Sequence, residues 1–282
     1  MKIGVSGHIH LSFFPEDAGT QCRILAQRPP LRVIRAFAHQ TSGALVHLHN
    51  VSGGVLGGDQ FQIEIDVEPG AHGVVTTTGS NRIYRHRDGY QNASQESLIR
   101  LGKDSVLEFM PDSTIPFAGS RFVQKTEISM AQGAKLFWSE ILNPGREGFN
   151  ERFEWNLLEN EIVVRDESKP ILWEKWALAG ETSRFESAAL FGPWSYSATF
   201  VVCDCGAADR SIGQLEAALQ TVTDSFEAED GVWGVSRLVS DGVLVRGLSR
   251  KGRQLPRKLE EIHSCARHLL LGEPLVRPRK IY

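Results

Sequence analysis

His8-x-His10 and His47-x-His49 each set two imidazoles two residues apart. Residues at that spacing on a strand share a face, so either pair is able to offer two nitrogens to one metal ion. No third ligand is fixed nearby, and the plainer reading is ordinary strand histidines. Cys203-x-Cys205 has the same spacing, and thiolates suit zinc or nickel. Structural zinc needs a second ligand pair, and Cys22 and Cys265 are isolated. The cysteines therefore read as small apolar fillers. His47, His49 and Asp59 leave one enzymatic alternative, a metal-dependent hydrolase built on β-structure. Serine hydrolysis lacks its G-x-S-x-G elbow.

Oxygen-bearing residues form a second group. Thr76-Thr77-Thr78 follows Val74-Val75, and strand alternation sends Thr76 and Thr78 one way and Thr77 the other. Glu140 closes the apolar run Leu136-Phe137-Trp138-Ser139. A buried acid needs compensation, so it is either paired, with Arg146 for instance, or lines an internal hydrated space. Asp59, Glu64 and Asp66 are further acids on polar faces. Gly53-Gly54-Val55-Leu56-Gly57-Gly58-Asp59 lacks the Gly-Lys-Ser/Thr of a phosphate loop and precedes a strand. It reads as a turn where backbones approach closely, with Asp59 capping it or facing a cavity. Arg82, Arg85 and Arg87 around Tyr84 have a structural or partner-binding reading, not a nucleic-acid one.

The elements that must position these residues are mostly strands. Phe61 to Glu68 alternates apolar with acidic or amide residues, the mark of a half-buried strand. Ile9/Leu11/Phe13, Phe153/Trp155/Leu157 and Trp194/Tyr196/Ala198/Phe200/Val202 alternate similarly, and Gly and Pro turns separate the runs. Residues 17–30 read as a polar, proline-ended loop. Residues 64–72 align with 127–135 as two strand–glycine turn–strand units, which suggests stacked β coils. Ser211–Phe226 and Arg257–Leu271 have helical apolar spacing, the second with Pro256 at its start and Gly272 after its end. The fold expected is mainly β, with stacked β-helix-like strands and about two helices near the C-terminus, as one domain over 1–282.

Composition narrows the class. The chain has 282 residues, a net charge of −3 and 41% hydrophobic residues. That excludes wholesale disorder and argues against general nucleic-acid binding. Apolar runs are too short to cross a bilayer, and the N-terminal residues lack a signal-peptide core, so a cytoplasmic location is expected. Residues 246–282 hold ten Lys or Arg against three Glu. They read as a solvated tail or as a docking arm for an acidic surface. A carbohydrate-binding or adhesion solenoid is disfavoured by the same missing leader.

The order of segments carries a resemblance. Ser52-Gly53-Gly54-Val55-Leu56-Gly57-Gly58-Asp59 precedes Thr76-Thr77-Thr78 and Tyr84-Arg85. Then come Leu107-Glu108-Phe109-Met110-Pro111, Thr114-Ile115-Pro116-Phe117, Glu140-Ile141, Gly145-Arg146, Glu151-Arg152-Phe153 and the closing Pro278-Arg279-Lys280-Ile281-Tyr282. From about residue 25 onward this series resembles the UreD (UreH) family of urease accessory proteins. The resemblance implies a non-enzyme that binds UreF, recruits the GTPase UreG through it, and docks on apo-urease. It implies nickel in transit and no tightly bound cofactor, with a dimeric UreD–UreF–UreG complex and no nucleic-acid or membrane partner. By position it nominates Thr76, Thr77, Thr78, Glu140 and Glu174 as lining a nickel passage. Asp59, Glu64 and Asp66 join them from their polar faces. Partner contacts are expected on Arg257, Leu259, Ile262, Leu269 and Arg279, and the last helix's apolar stripe is expected to need a partner's cover.

Overall fold

The computed structural model describes residues 4–39, 42–167, 169–179 and 185–277. From residue 43 to 165 the chain passes back and forth between two sheets, laying down parallel strands in each. β5 (Gly43–Asn50), β7 (His72–Thr77), β10 (Val106–Phe109) and β13 (Lys135–Leu142) are parallel neighbours in an eleven-stranded sheet. β6 (Gln60–Val67), β9 (Ala93–Leu101), β12 (Arg121–Met130) and β14 (Leu157–Arg165) are parallel neighbours in a seven-stranded one. This is the stacked-coil arrangement that the residue 64–72 and 127–135 repeat suggests. Glu64 and Glu127 both pair with Leu98, so the two copies occupy the same place in successive coils. Gly70 and Gly133 turn the corners at φ +74° and +76°, where a side chain would be strained.

β1 (Ser6–Glu16) continues the parallel run of the seven-stranded sheet beside β6, and antiparallel strands then finish both sheets. β2 (Gly19–Arg28) forms one edge of the seven-stranded sheet and β15 (Pro170–Leu178) the other. β16 (Tyr196–Asp204), β18 (Gly242–Ser249) and β17 (Gly231–Arg237) extend the larger sheet, which the short strands β3 (Leu31–Arg32), β4 (Phe37–His39), β8 (Asn81–Ile83) and β11 (Thr114–Pro116) complete. Residues 19–28 are thus a strand where a loop is expected. As an edge strand it is largely exposed and carries no apolar alternation to reveal it. Phe153 and Trp155 correct the reading in the opposite direction. Phe153 sits at φ 58°, outside strand geometry, and both rings pack with Phe185 in a buried aromatic cluster.

The facing sheets enclose a core that includes Ile9, Leu11, Phe13, Ile65, Ile99, Leu136 and Val164. Two helices, α1 (Asp209–Asp224) and α2 (Leu255–Leu271), cover the outer side of the larger sheet over a second core of Phe137, Phe200, Val243, Val245, Ile212, Leu219, Leu259 and Ile262. Burying each large side chain contributes roughly 1.5–3 kcal/mol of apolar transfer. α2 starts with Pro256 in its first turn and ends at Gly272, φ 69°, whose N–H bonds to the His268 carbonyl. Leu259, Ile262 and Ala266 face the sheet, so the molecule itself covers that part of the stripe expected to need a partner, while Leu269 stays exposed. No helix among the described residues is long and apolar enough to cross a membrane.

Strand register grades the interior from oil to oxygen. On the inner face of the smaller sheet, one rung reads Leu11–Ile65–Ile99–Ile128–Val164–Leu172, wholly apolar. The next reads Ile9–Ile63–Ser97–Thr126–Ile162–Glu174, and the next Phe61–Gln95–Gln124–Asn160–Trp176. The larger sheet answers with Trp138–Val201–Leu244 followed by Glu140–Thr199–Arg246–Gly234. Polar rungs face polar rungs at one end of the sandwich.

Candidate functional site

Those polar rungs bound a cavity of about 940 Å³ between the sheets. Its floor is apolar, with Phe109 and Trp138 stacked at 4.3 Å between ring centroids. Above it Glu140 reaches from β13 toward the opposite sheet. Gln124 donates to Glu140 Oε1 at 2.7 Å, and Asn160 donates to Oε2 at 3.0 Å. Gln124 and Asn160 are register partners on β12 and β14, which sets both amides under one carboxylate. Burial pushes the Glu140 carboxyl up to about 7. The amide donors pull it down, and the neighbouring charge of Glu174 pushes it further up. Of the two sequence readings of Glu140, the pairing with Arg146 is not formed, and the side chain lines an internal cavity. Arg146 instead pairs with Glu151.

Glu174 also lines the cavity, and Arg246 from the other sheet forms an ion pair with it at 2.7 Å. Thr77 and Thr78 line it, whereas Thr76 does not. Strand β7 ends at Thr77, so the alternation expected through Thr78 is broken by a bend. Thr76 turns away and donates to the Met110 carbonyl at 2.7 Å. Thr77 donates to Asp112 Oδ2 at 2.9 Å and accepts from the Asp112 N–H at 2.8 Å, which pins that wall.

The other expected passage residues lie elsewhere. Asp59 is buried and accepts the N–H groups of Val5 and Leu56, both at 2.9 Å, so it caps a turn. Glu64 and Asp66 point from the outer face of β6 and bond His8 and His10 at 3.0 and 2.7 Å. Alternation alone distinguishes the two faces of β6 but not which one borders a cavity. The inner wall here is Phe61 and Ile63. The glycine turn is a close approach, as read: a Cβ on Gly54 would lie 2.6 Å from the Arg82 carbonyl oxygen and 2.5 Å from the Tyr84 ring.

The metal-dependent hydrolase is not assembled. His47 is buried edge-on against Phe37, His49 faces the cavity, and Asp59 is committed to backbone. Among the described residues no three His, Cys, Asp or Glu side chains are placed to share a metal ion. Cys203 and Cys205 are buried in the inter-sheet core, and burial raises both thiols, Cys205 to about 11. Both sit among apolar side chains, the setting of small core fillers.

Of the expected partner residues, Arg257 and Leu269 are exposed on α2, Leu259 and Ile262 are buried, and Arg279 lies outside the described residues.

A second polar group escaped the sequence reading. Glu108 is buried under α2, 2.6 Å from His72 Nε2, 2.8 Å from His263 Nε2 and 3.0 Å from Arg267 Nε. Burial alone raises a carboxyl, but the His263 and His72 contacts hold this one well below the usual range. The cluster fastens α2 to β7 and β10. The only sequence signal was a glutamate within the apolar run Val106-Leu107-Glu108-Phe109.

A family model described as UreD urease accessory protein matches residues 5–281. The chain is 38% identical to a urease accessory protein UreD of Herpetosiphon aurantiacus, over 98% of this chain and 96% of that one. It is 28% identical to urease accessory protein UreD 2 of Brucella abortus over 97% and 91%. It is 27% identical to urease accessory protein UreH of Helicobacter pylori over 83% and 84%.

Proposed function

We infer a function from one premise: this chain belongs to the UreD urease accessory protein family, and is an accessory protein of urease, not a catalyst. In this reading it is a cytoplasmic maturation factor. It binds UreF and, through UreF, the GTPase UreG, within a dimeric assembly that docks on apo-urease. The sandwich interior conducts nickel toward the urease active site.

One observation supports the conduit above all. Glu140 stands in a cavity of about 940 Å³, held by two amide donors from the facing sheet and accompanied by Glu174. Carboxylate, hydroxyl and amide oxygens are hard donors that hold nickel less firmly than imidazole or thiolate. An ion enters such a path without being trapped. The passage so read runs along Thr77, Thr78, Glu140 and Glu174, and leaves out Thr76, Asp59, Glu64 and Asp66. Arg257 and Leu269 are the exposed positions of α2 offered to a partner.

Co-expression with UreF tests the scaffold: a copurifying complex is expected, and a chain that ignores UreF overturns it. Nickel content of urease matured with Glu140 variants tests the passage.

A further inference from the structure

We propose, building on the reading of the cavity as a cation path, that Arg246 is a resident counter-cation that closes the sheet-edge end of the cavity. It swings off Glu174 toward Gly234 to admit a divalent cation. Glu174 lies on the edge strand β15 of one sheet, Arg246 on β18 of the other, and their ion pair at 2.7 Å spans the gap. Both residues line the cavity. Arg246 shares a rung with Thr199 and Glu140, so the closure sits two strands from Glu140 on the same face.

The guanidinium has somewhere to go. Its register partner on β17 is Gly234, and a Cβ built there meets nothing within 4 Å. The Arg246 side chain is 57% exposed, against 17% for Glu174. The cation end of the pair therefore faces solvent while the carboxylate stays inside.

The charges make the movement an exchange. With Arg246 displaced, Glu174 and Glu140 are two acids lining one cavity without a counter-charge, which is costly. A monocation replaces only what Arg246 removed, whereas a divalent ion neutralises both. Arg246 and that ion repel at this range, so they do not occupy the end together.

Calorimetric titration of the full chain with nickel ion, and stopped-flow tryptophan quenching for the entry rate, test this. Arg246→Gln is expected to bind nickel about tenfold more tightly, because no closed state competes. Arg246→Lys should return near the wild type. Gly234→Val keeps the pair but fills the vacant space, and should slow entry several-fold. If Arg246→Gln leaves affinity and rate unchanged while Glu140→Gln weakens binding, the closure is wrong and the path stands. If neither the wild type nor any variant takes up nickel, both are wrong. If Arg246→Gln does not fold, Gly234→Val decides, and an unchanged entry rate overturns the closure.

Discussion

Glu140 and Asn160 belong to different sheets, and the Asn160 amide donates to Glu140 Oε2 at 3.0 Å across the space between them. A sandwich normally meets in the middle through apolar side chains. Here the meeting is polar, and the space around it is a cavity of about 940 Å³ rather than packed hydrocarbon. An acid held this way has a titration that reports its surroundings.

Burial pushes the Glu140 carboxyl of the folded chain up to about 7 from an ordinary value of 4.5. Between those values the unfolded chain loses this proton while the folded chain keeps it, so stability falls as pH rises through that window and levels above it. Glu140→Gln should flatten the decline in melting temperature between pH 5 and pH 7. A variant with the wild-type slope contradicts the assignment. Because a proton competes with a cation for this carboxylate, wild-type nickel affinity should also rise over the same interval.

Arg267 is wholly buried against Glu108. Leaving a buried charge wholly uncompensated typically costs about 3–5 kcal/mol. Glu108 keeps His72 and His263 when Arg267 is lost, so Arg267→Met should cost less than that while loosening α2, read as faster hydrogen exchange across 255–271. Glu108 has its carboxyl held low, so its contribution is present above the ordinary carboxylate range and disappears as pH falls through the lower native value. The penalty of Arg267→Met should accordingly shrink in acid. A pH-independent penalty would argue against a charged cluster.

Gly54 lies where a Cβ would strike the Arg82 carbonyl and the Tyr84 ring. Gly54→Ala should cost roughly 1–3 kcal/mol by forcing the two segments apart. Denaturant unfolding measures this, and a change within error would mean that the loop yields freely.

Glu64 and Asp66 bond histidines on the outer face. Glu64→Gln with Asp66→Asn should leave urease nickel loading at the wild-type level, and half-exposed pairs of this kind cost about 1 kcal/mol or less. Loss of nickel loading in this double variant would return these acids to the passage.

Much of the fold was legible because burial writes a period into the sequence. The alternation of Phe61 to Val67 and the stripe of Ile212, Leu215 and Leu219 needed no structure to be seen. The coil repeat at residues 64–72 was legible for the same reason, since its glycine corners recur. β2 was illegible because an edge strand buries too little to alternate. Within the site, Glu140 stood out as a polar residue ending an apolar run. Gln124 and Asn160 did not, because only the register of β12 on β14 brings them under it. Whether Glu64 or Ile63 borders the cavity is likewise a question of which face looks inward, and alternation is symmetric in that respect.

The conduit itself is tested most directly by the nickel carried per active site of urease matured with Glu140→Leu, purified alongside the accessory complex. The account predicts a marked fall in nickel with the complex recovered intact, since a branched apolar side chain fills the polar rung where the carboxylate stood. Full nickel loading in that preparation would contradict it.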